Sequence, residues 1–160
     1  MTYEIEFTER SEVPTAVVRQ VVAIPEIAAF LGGAFGEVMA AVSAAGCFPV
    51  GPPFARYDMT QVPKESAPET FAVEAGFPVN APIAPSGRVE ASALPAGPVA
   101  VTVHAGSYAD VSAAYEAIEA RIAEAGLVPT GAPWEAYLDD PTTVPVPHTE
   151  VVWPCGKPPV

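Results

Sequence analysis

Hydrophobic and polar residues alternate, or recur at fixed intervals, over most of the chain, and these patterns predict eight strands and two helices. Over 3–8, Tyr3, Ile5 and Phe7 share one side of an alternating stretch, which is typical of a half-buried strand. Runs rich in β-branched and apolar residues predict the other seven strands, over 15–22, 54–60, 70–76, 88–93, 98–104, 134–139 and 148–153.

Apolar residues spaced three and four apart predict the two helices. The first begins near Pro25, which suits a first helical turn because proline lacks an N–H, and it ends at Gly46. The second carries an apolar stripe and ends at Gly126, a glycine placed like Gly46 just past the last helical turn. The members of that stripe are Val111, Tyr115, Ile118 and Ile122. Strands and helices in this order predict the α+β class.

The chain contains a second copy of part of itself. Residues 45–57, AGCFPVGPPFARY, reappear at a shift of 80 as 125–137, AGLVPTGAPWEAY, and the Glu-x-x-Phe-Pro of 74–78 returns as the Glu-x-x-Trp-Pro of 150–154. Such self-similarity marks a repeated architecture. We therefore predict one domain over 1–160, with repeat halves 1–78 and 88–160 and a linker over 79–87. The expected fold is a tandem pair of duplicated βαββ modules about a pseudo-twofold axis, with eight mainly antiparallel strands, two main helices and a central cleft.

Composition narrows the function classes. The net charge is −12 and only seven Lys and Arg are scattered along 160 residues, which argues against nucleic-acid binding because phosphate contacts need a basic patch. We expect no membrane span and no signal peptide, because no apolar run approaches about 18 residues and the first residues are charged. Cys47 and Cys155 predict free thiols in a cytoplasmic protein, and together with two histidines they show no metal spacing. We expect no cofactor.

Glu135 is the residue most suggestive of chemistry, because it interrupts the apolar strand PWEAYL. Alternation places Tyr137 on the same face and Trp134 on the opposite one. A carboxylate among aromatic rings can neutralise a cationic ligand or transfer a proton, and partial burial would raise its pKa. The alternative is a strand-face glutamate in water, or one paired with Arg56 or Arg121.

Three further residues are candidates for a binding site. Tyr57 occupies the position of Tyr137 in the first copy, and Tyr108 sits at a turn between a strand and a helix. Tyrosines at such places form either pocket walls or amphipathic core residues with their hydroxyls at the rim. His104 ends a strand and either reaches the seam between the halves or is a hydrogen-bonded rim residue.

Several motifs follow one another in a characteristic order and spacing. They are Gly106-Ser107-Tyr108, Gly126-Leu127, Gly131-x-Pro133-Trp134-Glu135-x-Tyr137, Asp140-Pro141 and Thr149-Glu150-Val151-x-Trp153-Pro154. This set resembles the GyrI-like small-molecule-binding domains, which also serve as effector-binding domains of multidrug-responsive and AraC-type bacterial transcription regulators. The resemblance covers nearly the whole chain, and it lies in the order and spacing of the motifs taken together.

The resemblance implies a site that the residues alone do not establish. Such domains bind bulky, often aromatic and cationic compounds in a cleft between two modules, and their signature acidic residue matches Glu135. Tyr137, Tyr57 and Tyr108 would then be aromatic walls. Trp134 and His104 complete our set of candidate ligand-binding residues.

Three functions stay open for a protein of this kind. We expect a stand-alone member, because the regulators carry a helix-turn-helix domain and this sequence shows none. The leading interpretation is a small-molecule-binding protein with Glu135 as counter-charge, without nucleic-acid or membrane partners. The second is a hydrolase of electrophilic, cyclopropane-type natural products with Glu135 as catalytic acid or base. The third is an inhibitor that binds a protein partner.

Overall fold

The computed structural model describes residues 3–58, 70–107, 110–139 and 143–158. Its α-helices are α1 Ile27–Ala44, which a 3-10 helix at Ile24–Glu26 precedes, and α2 Ser112–Glu124. Its strands in these residues are β1 Glu6–Arg10, β2 Val13–Ala23, β3 Phe54–Asp58, β4 Thr70–Pro78, β5 Glu90–Leu94, β6 Gly97–Ala105, β7 Val128–Pro129, β8 Trp134–Tyr137 and β9 His148–Gly156. The strand pairs described below are antiparallel, and the fold is of the α+β class, as predicted.

The hydrophobic pattern located both helices and eight of these strands, with ends displaced by a few residues. The strand that it missed is β7, whose two residues are too few to show a periodicity. Both helices end as the glycines indicated, since Gly46 and Gly126 each have φ of +74°. The closing hydrogen bonds also match, from Cys47 N to Val42 O and from Leu127 N to Ile122 O, both at 3.0 Å.

Contacts divide the chain into two compact units. The central unit spans 12–95 and orders its strands β3-β4-β2-β5, with α1 between β2 and β3 in sequence. The terminal unit combines 1–11 with 96–160 and orders its strands β1-β6-β9-β8, with β7 also paired to β9. This division differs from the predicted halves, because β1 pairs with β6 and β5 pairs with β2.

The two units share one pairing register. Equivalent pairs are Thr15–Pro78 and Val99–Pro154, Phe54–Gly76 and Trp134–Val152, and Val13–Leu94 and Gly97–Arg10. Register fixes which side chains share a face, so equivalent positions of the units have equivalent surroundings. Each unit can therefore be compared with the other residue by residue.

Each helix packs on the sheet of its own unit through an equivalent stripe. On α1 the fully buried residues are Ala34, Val38 and Val42, and on α2 their counterparts 80 residues later are Ala114, Ile118 and Ile122. An aromatic pair also recurs, as Phe35 against Phe77 with ring centroids 5.8 Å apart and Tyr115 against Trp153 at 5.9 Å. The scaffold is thus the same in both units, and the interior residues differ at a few positions.

Helix α1 is long and apolar enough to cross a membrane by length and composition alone, with 18 residues and a mean hydropathy of 1.6. From the sequence we predict no such segment, because no apolar run approaches about 18 residues. Its buried stripe packs in the hydrophobic core of the central unit beside Ala16, Val18 and Ala75. Three of its 18 residues are buried, and through them the helix packs on the sheet of its own unit.

Gly76 is required by the close approach of β4 to β2. A Cβ atom there would lie 1.9 Å from the carbonyl oxygen of Ala16, so Gly76→Ala must displace backbone. We expect the free energy of unfolding to fall by about 1–3 kcal/mol or more in urea titrations. In the control Gly36→Ala, where a Cβ meets nothing within 4 Å, it should rise by about 0.5–1 kcal/mol. Equal effects of the two substitutions would contradict this.

Candidate functional site

Strand β8 places Glu135 and Tyr137 on one face of the terminal sheet, as alternation predicts. Glu135 lies opposite Val151 and Tyr137 opposite Thr149 in the register with β9. This is the face that α2 covers, since Tyr115 of α2 reaches the Glu135 carboxylate. The β8 segment thus directs a carboxylate into the space between helix and sheet.

The Glu135 carboxylate is buried and is held by hydroxyl groups. The residue is 6% exposed. Tyr115 Oη donates a hydrogen bond to Oε2 at 2.6 Å, and Tyr137 Oη donates to Oε1 at 3.2 Å. Within the part of the chain that the structure describes, no lysine or arginine forms an ion pair with it. The expected alternatives of a solvated glutamate or an arginine partner therefore do not hold.

Burial raises the pKa of Glu135, because a charged carboxylate loses hydration between helix and sheet. The hydrogen bonds from Tyr115 and then Tyr137 act in the opposite direction, as does the nearby His104. The protonation state of this carboxyl therefore depends on what approaches it. Such a group can balance the charge of a bound cation or exchange a proton with a bound molecule.

His104 is buried beneath the same face and has both ring nitrogens engaged. It is 2% exposed, so it is not the rim residue that one interpretation expected. Nε2 lies 2.9 Å from Ser107 O, and because a carbonyl can only accept, Nε2 donates there. Tyr3 Oη lies 2.8 Å from Nδ1, and the two rings stack with centroids 6.0 Å apart. These contacts hold the imidazole ring in one orientation.

The structure describes the positions of two of the three remaining sequence candidates. Trp134 is buried, at 3% exposed, on the sheet face opposite Glu135. Tyr57 belongs to the central unit, where its ring meets Phe71 edge-on at 5.9 Å. Tyr108 lies outside the described residues.

Tyr115 is the member of the candidate site that the sequence patterns did not indicate, because its spacing marked it as part of a buried helical stripe. The signal was present in the repeat, since Phe35 stands 80 residues earlier and lacks the hydroxyl. Likewise Ala55 stands where the terminal unit has Glu135. The carboxyl group of Glu135 and the hydroxyl group of Tyr115 that donates to it are therefore both present in the second copy only. This is expected if the two residues were substituted together for a function.

A shallow groove of about 560 Å³ lies on the central unit, lined in part by Arg19, Arg56 and Glu74. Arg19 is already neutralised there, by Glu74 at 2.8 Å and Glu90 at 2.6 Å. This groove contains none of the predicted site residues, and its ion pairs serve to join neighbouring strands. We call Glu135, Tyr115, Tyr137 and His104 the polar cluster under α2. This cluster is the better candidate for a functional site.

The sequence matches the model of the GyrI-like small molecule binding domain over residues 3–154. The chain belongs to this family, as its motifs indicated. A comparison with curated proteins found no match.

Solved structures show the same fold at low sequence identity. The C-terminal domain of EcmrR is similar with a TM-score of 0.83 and 21% identity, over 99% of this chain and 100% of that one. SAV2435 bound to tetraphenylphosphonium is similar with a TM-score of 0.62 and 15% identity, over 98% of this chain and 94% of that one. A hydrolase from Listeria innocua is similar with a TM-score of 0.63 and 10% identity, over 96% of this chain and 92% of that one.

The raised pKa of Glu135 predicts a loss of stability with rising pH. Above the ordinary value of 4.5 the unfolded carboxyl ionises while the buried one keeps its proton, so the folded state binds more protons and stability falls as pH rises. Glu135→Gln should flatten this slope in melting experiments between pH 4 and 8. The control Glu119→Gln, on the exposed side of α2, should keep it. An unchanged slope in Glu135→Gln would refute the assignment.

Removing the shorter hydrogen bond should raise the pKa of Glu135 further. Tyr115→Phe installs the residue that the central unit already accommodates as Phe35, so we expect a folded protein with a loss of about 1 kcal/mol in stability. The carboxyl titration, followed by ¹³C NMR of labelled glutamate, should shift upward. Tyr137→Phe, which loses a bond of 3.2 Å, should shift it less. A downward shift in either variant would count against the geometry.

Proposed function

We propose that this protein binds bulky aromatic cations, with Glu135 as the counter-charge. One observation carries the proposal: a buried carboxyl group has two hydroxyl donors but no lysine or arginine partner among the described residues. The ionised form of a buried carboxyl is costly unless it is paired, so a bound cation would favour ionisation of Glu135 and complete this site. The family defines a small-molecule-binding domain, and the charge of the site suggests which molecules it takes.

Aromatic side chains around the carboxylate support the same ligand class. Tyr115, Tyr137 and Trp153 lie near it on the α2 side of the sheet, and Tyr3 stacks on His104. Aromatic faces attract cations and also bury the apolar parts of a bulky ligand. SAV2435, which has the same fold, is bound to tetraphenylphosphonium, an aromatic cation, and this agrees with the proposal.

We also propose a cytoplasmic location. Cys47 and Cys155 are both free thiols, and burial raises the pKa of Cys155. Unpaired thiols suit a reducing compartment.

Neutralising Glu135 should abolish the preference for cations. We expect Glu135→Gln to lower the affinity for tetraphenylphosphonium by at least about tenfold, since an unpaired buried charge of the ligand is left behind. The affinity for neutral tetraphenylmethane derivatives of similar shape should change little. Isothermal titration calorimetry on both proteins measures this. Glu119→Gln serves as the matched control, and equal losses for cation and neutral compound would exclude the counter-charge role.

A hydrolase is the second candidate, favoured by the raised pKa of Glu135, which suits a general acid or base. The similar fold of the Listeria innocua hydrolase agrees with this reading. Mass spectrometry of cyclopropane-bearing compounds incubated with the protein separates the two functions. Recovery of every compound intact supports a binder. A product heavier by one water, formed by the wild type and not by Glu135→Gln, supports an enzyme.

A further inference from the structure

The hydroxyl of Thr149 is a buried polar group that the fold itself does not use. Thr149 is 0% exposed, and its Oγ1 has no hydrogen-bond partner among the described residues. A buried hydroxyl without a partner destabilises a protein, so its presence calls for an explanation. By contrast Thr102 of β6, whose side chain lies on the same face of the sheet, donates its hydroxyl to Glu4 O at 2.8 Å.

Strand register places this hydroxyl inside the polar cluster. Thr149 on β9 lies opposite His104 on β6 and opposite Tyr137 on β8. Residues directly opposite each other on antiparallel strands share a face, so the Thr149 side chain emerges between these two. Glu135 is its diagonal neighbour on β8, at a typical separation of about 7–8 Å between backbones, which side chains and a ligand can span.

The central unit shows that the scaffold does not need this hydroxyl. Val73 holds the equivalent place, opposite Tyr57 as Thr149 is opposite Tyr137. Valine and threonine have the same shape, so the terminal unit has exchanged a methyl group for a hydroxyl without gaining an internal partner. The other polar groups of the cluster are engaged, since Tyr115 and Tyr137 donate to Glu135 and both nitrogens of His104 are hydrogen-bonded.

We propose that Thr149 is a ligand-contacting residue that selects protonated amines. In this arrangement, which rests on the proposed function, the N–H of an aromatic ammonium ligand donates to Thr149 Oγ1 while its positive charge lies beside Glu135. Quaternary ammonium and phosphonium ions carry the same charge but have no N–H, so they use Glu135 alone. Thr149 thus distinguishes two kinds of cation that the carboxylate does not.

The test compares Thr149→Val with the wild type on a matched pair of ligands at pH 7. The pair is N,N-dimethyl-1-naphthylmethylamine, which is protonated and has one N–H, and its N-methyl quaternary salt, which has none. We expect the substitution to lower the affinity for the amine by about three- to tenfold, the worth of one hydrogen bond. The affinity for the quaternary salt should stay within about twofold, as measured by calorimetry.

Thr15→Val is the matched control. Thr15 is the other fully buried threonine whose Oγ1 has no partner among the described residues, and it lies in the central unit opposite Pro78 and Ser92. Its substitution should change neither affinity. Both variants should keep or raise the melting temperature of the ligand-free protein, because a buried hydroxyl without a partner is removed.

Three outcomes would overturn the proposal. Equal losses for amine and quaternary salt would mean that Thr149 acts through shape, and no loss for either would mean that water alone satisfies the hydroxyl. A lower melting temperature of ligand-free Thr149→Val would reveal a structural role. Failure of the proposed function looks different, since the wild type would then bind neither cation or Glu135→Gln would bind both as well as the wild type does.

Discussion

A carboxyl group buried between helix and sheet, with no lysine or arginine partner among the described residues, is the constraint on which the interior of the terminal unit depends. Glu135 is only 6% exposed, so its carboxyl group relies on hydroxyl groups, and Tyr115 and Tyr137 must be placed within hydrogen-bonding distance. The register of β8 against β9 and the position of α2 on the sheet provide that placement. A single acidic residue in an apolar strand therefore determines which neighbours its unit requires.

Comparison of the two units separates the residues that both scaffolds share from those found in the candidate site alone. Both units keep the same pairing register, the same helical stripe and an edge-on aromatic pair. The central unit builds all of this around Phe35, Ala55 and Val73, which carry no polar groups. The terminal unit has Tyr115, Glu135 and Thr149 in their places. The central unit forms the same scaffold without these polar groups, so their concentration on one face of one unit is consistent with the proposed binding site.

Local features of the structure could be predicted from the sequence, because strands and helices follow periods of two and three to four residues. The placement of Glu135 and Tyr137 on one face came from the same alternation. Partnerships between distant segments could not be read in this way. The sequence does not show that β1 pairs with β6, that Tyr3 lies on His104, or that Tyr115 reaches across to Glu135. The repeat nevertheless gives an indication of the contact between Tyr115 and Glu135, because the second copy has a tyrosine at the position of Phe35.

The pairing of β1 with β6, and of β5 with β2, has a consequence for the order of folding. The central unit is one continuous stretch, 12–95, inserted between the two segments of the terminal unit. During synthesis it can form as soon as β5 has left the ribosome, whereas β1 must wait unpaired until β6 has been made. Closing that long loop delays the terminal sheet, and with it the contact of Tyr3 with His104. The polar cluster of the terminal unit is therefore assembled after the central unit has folded.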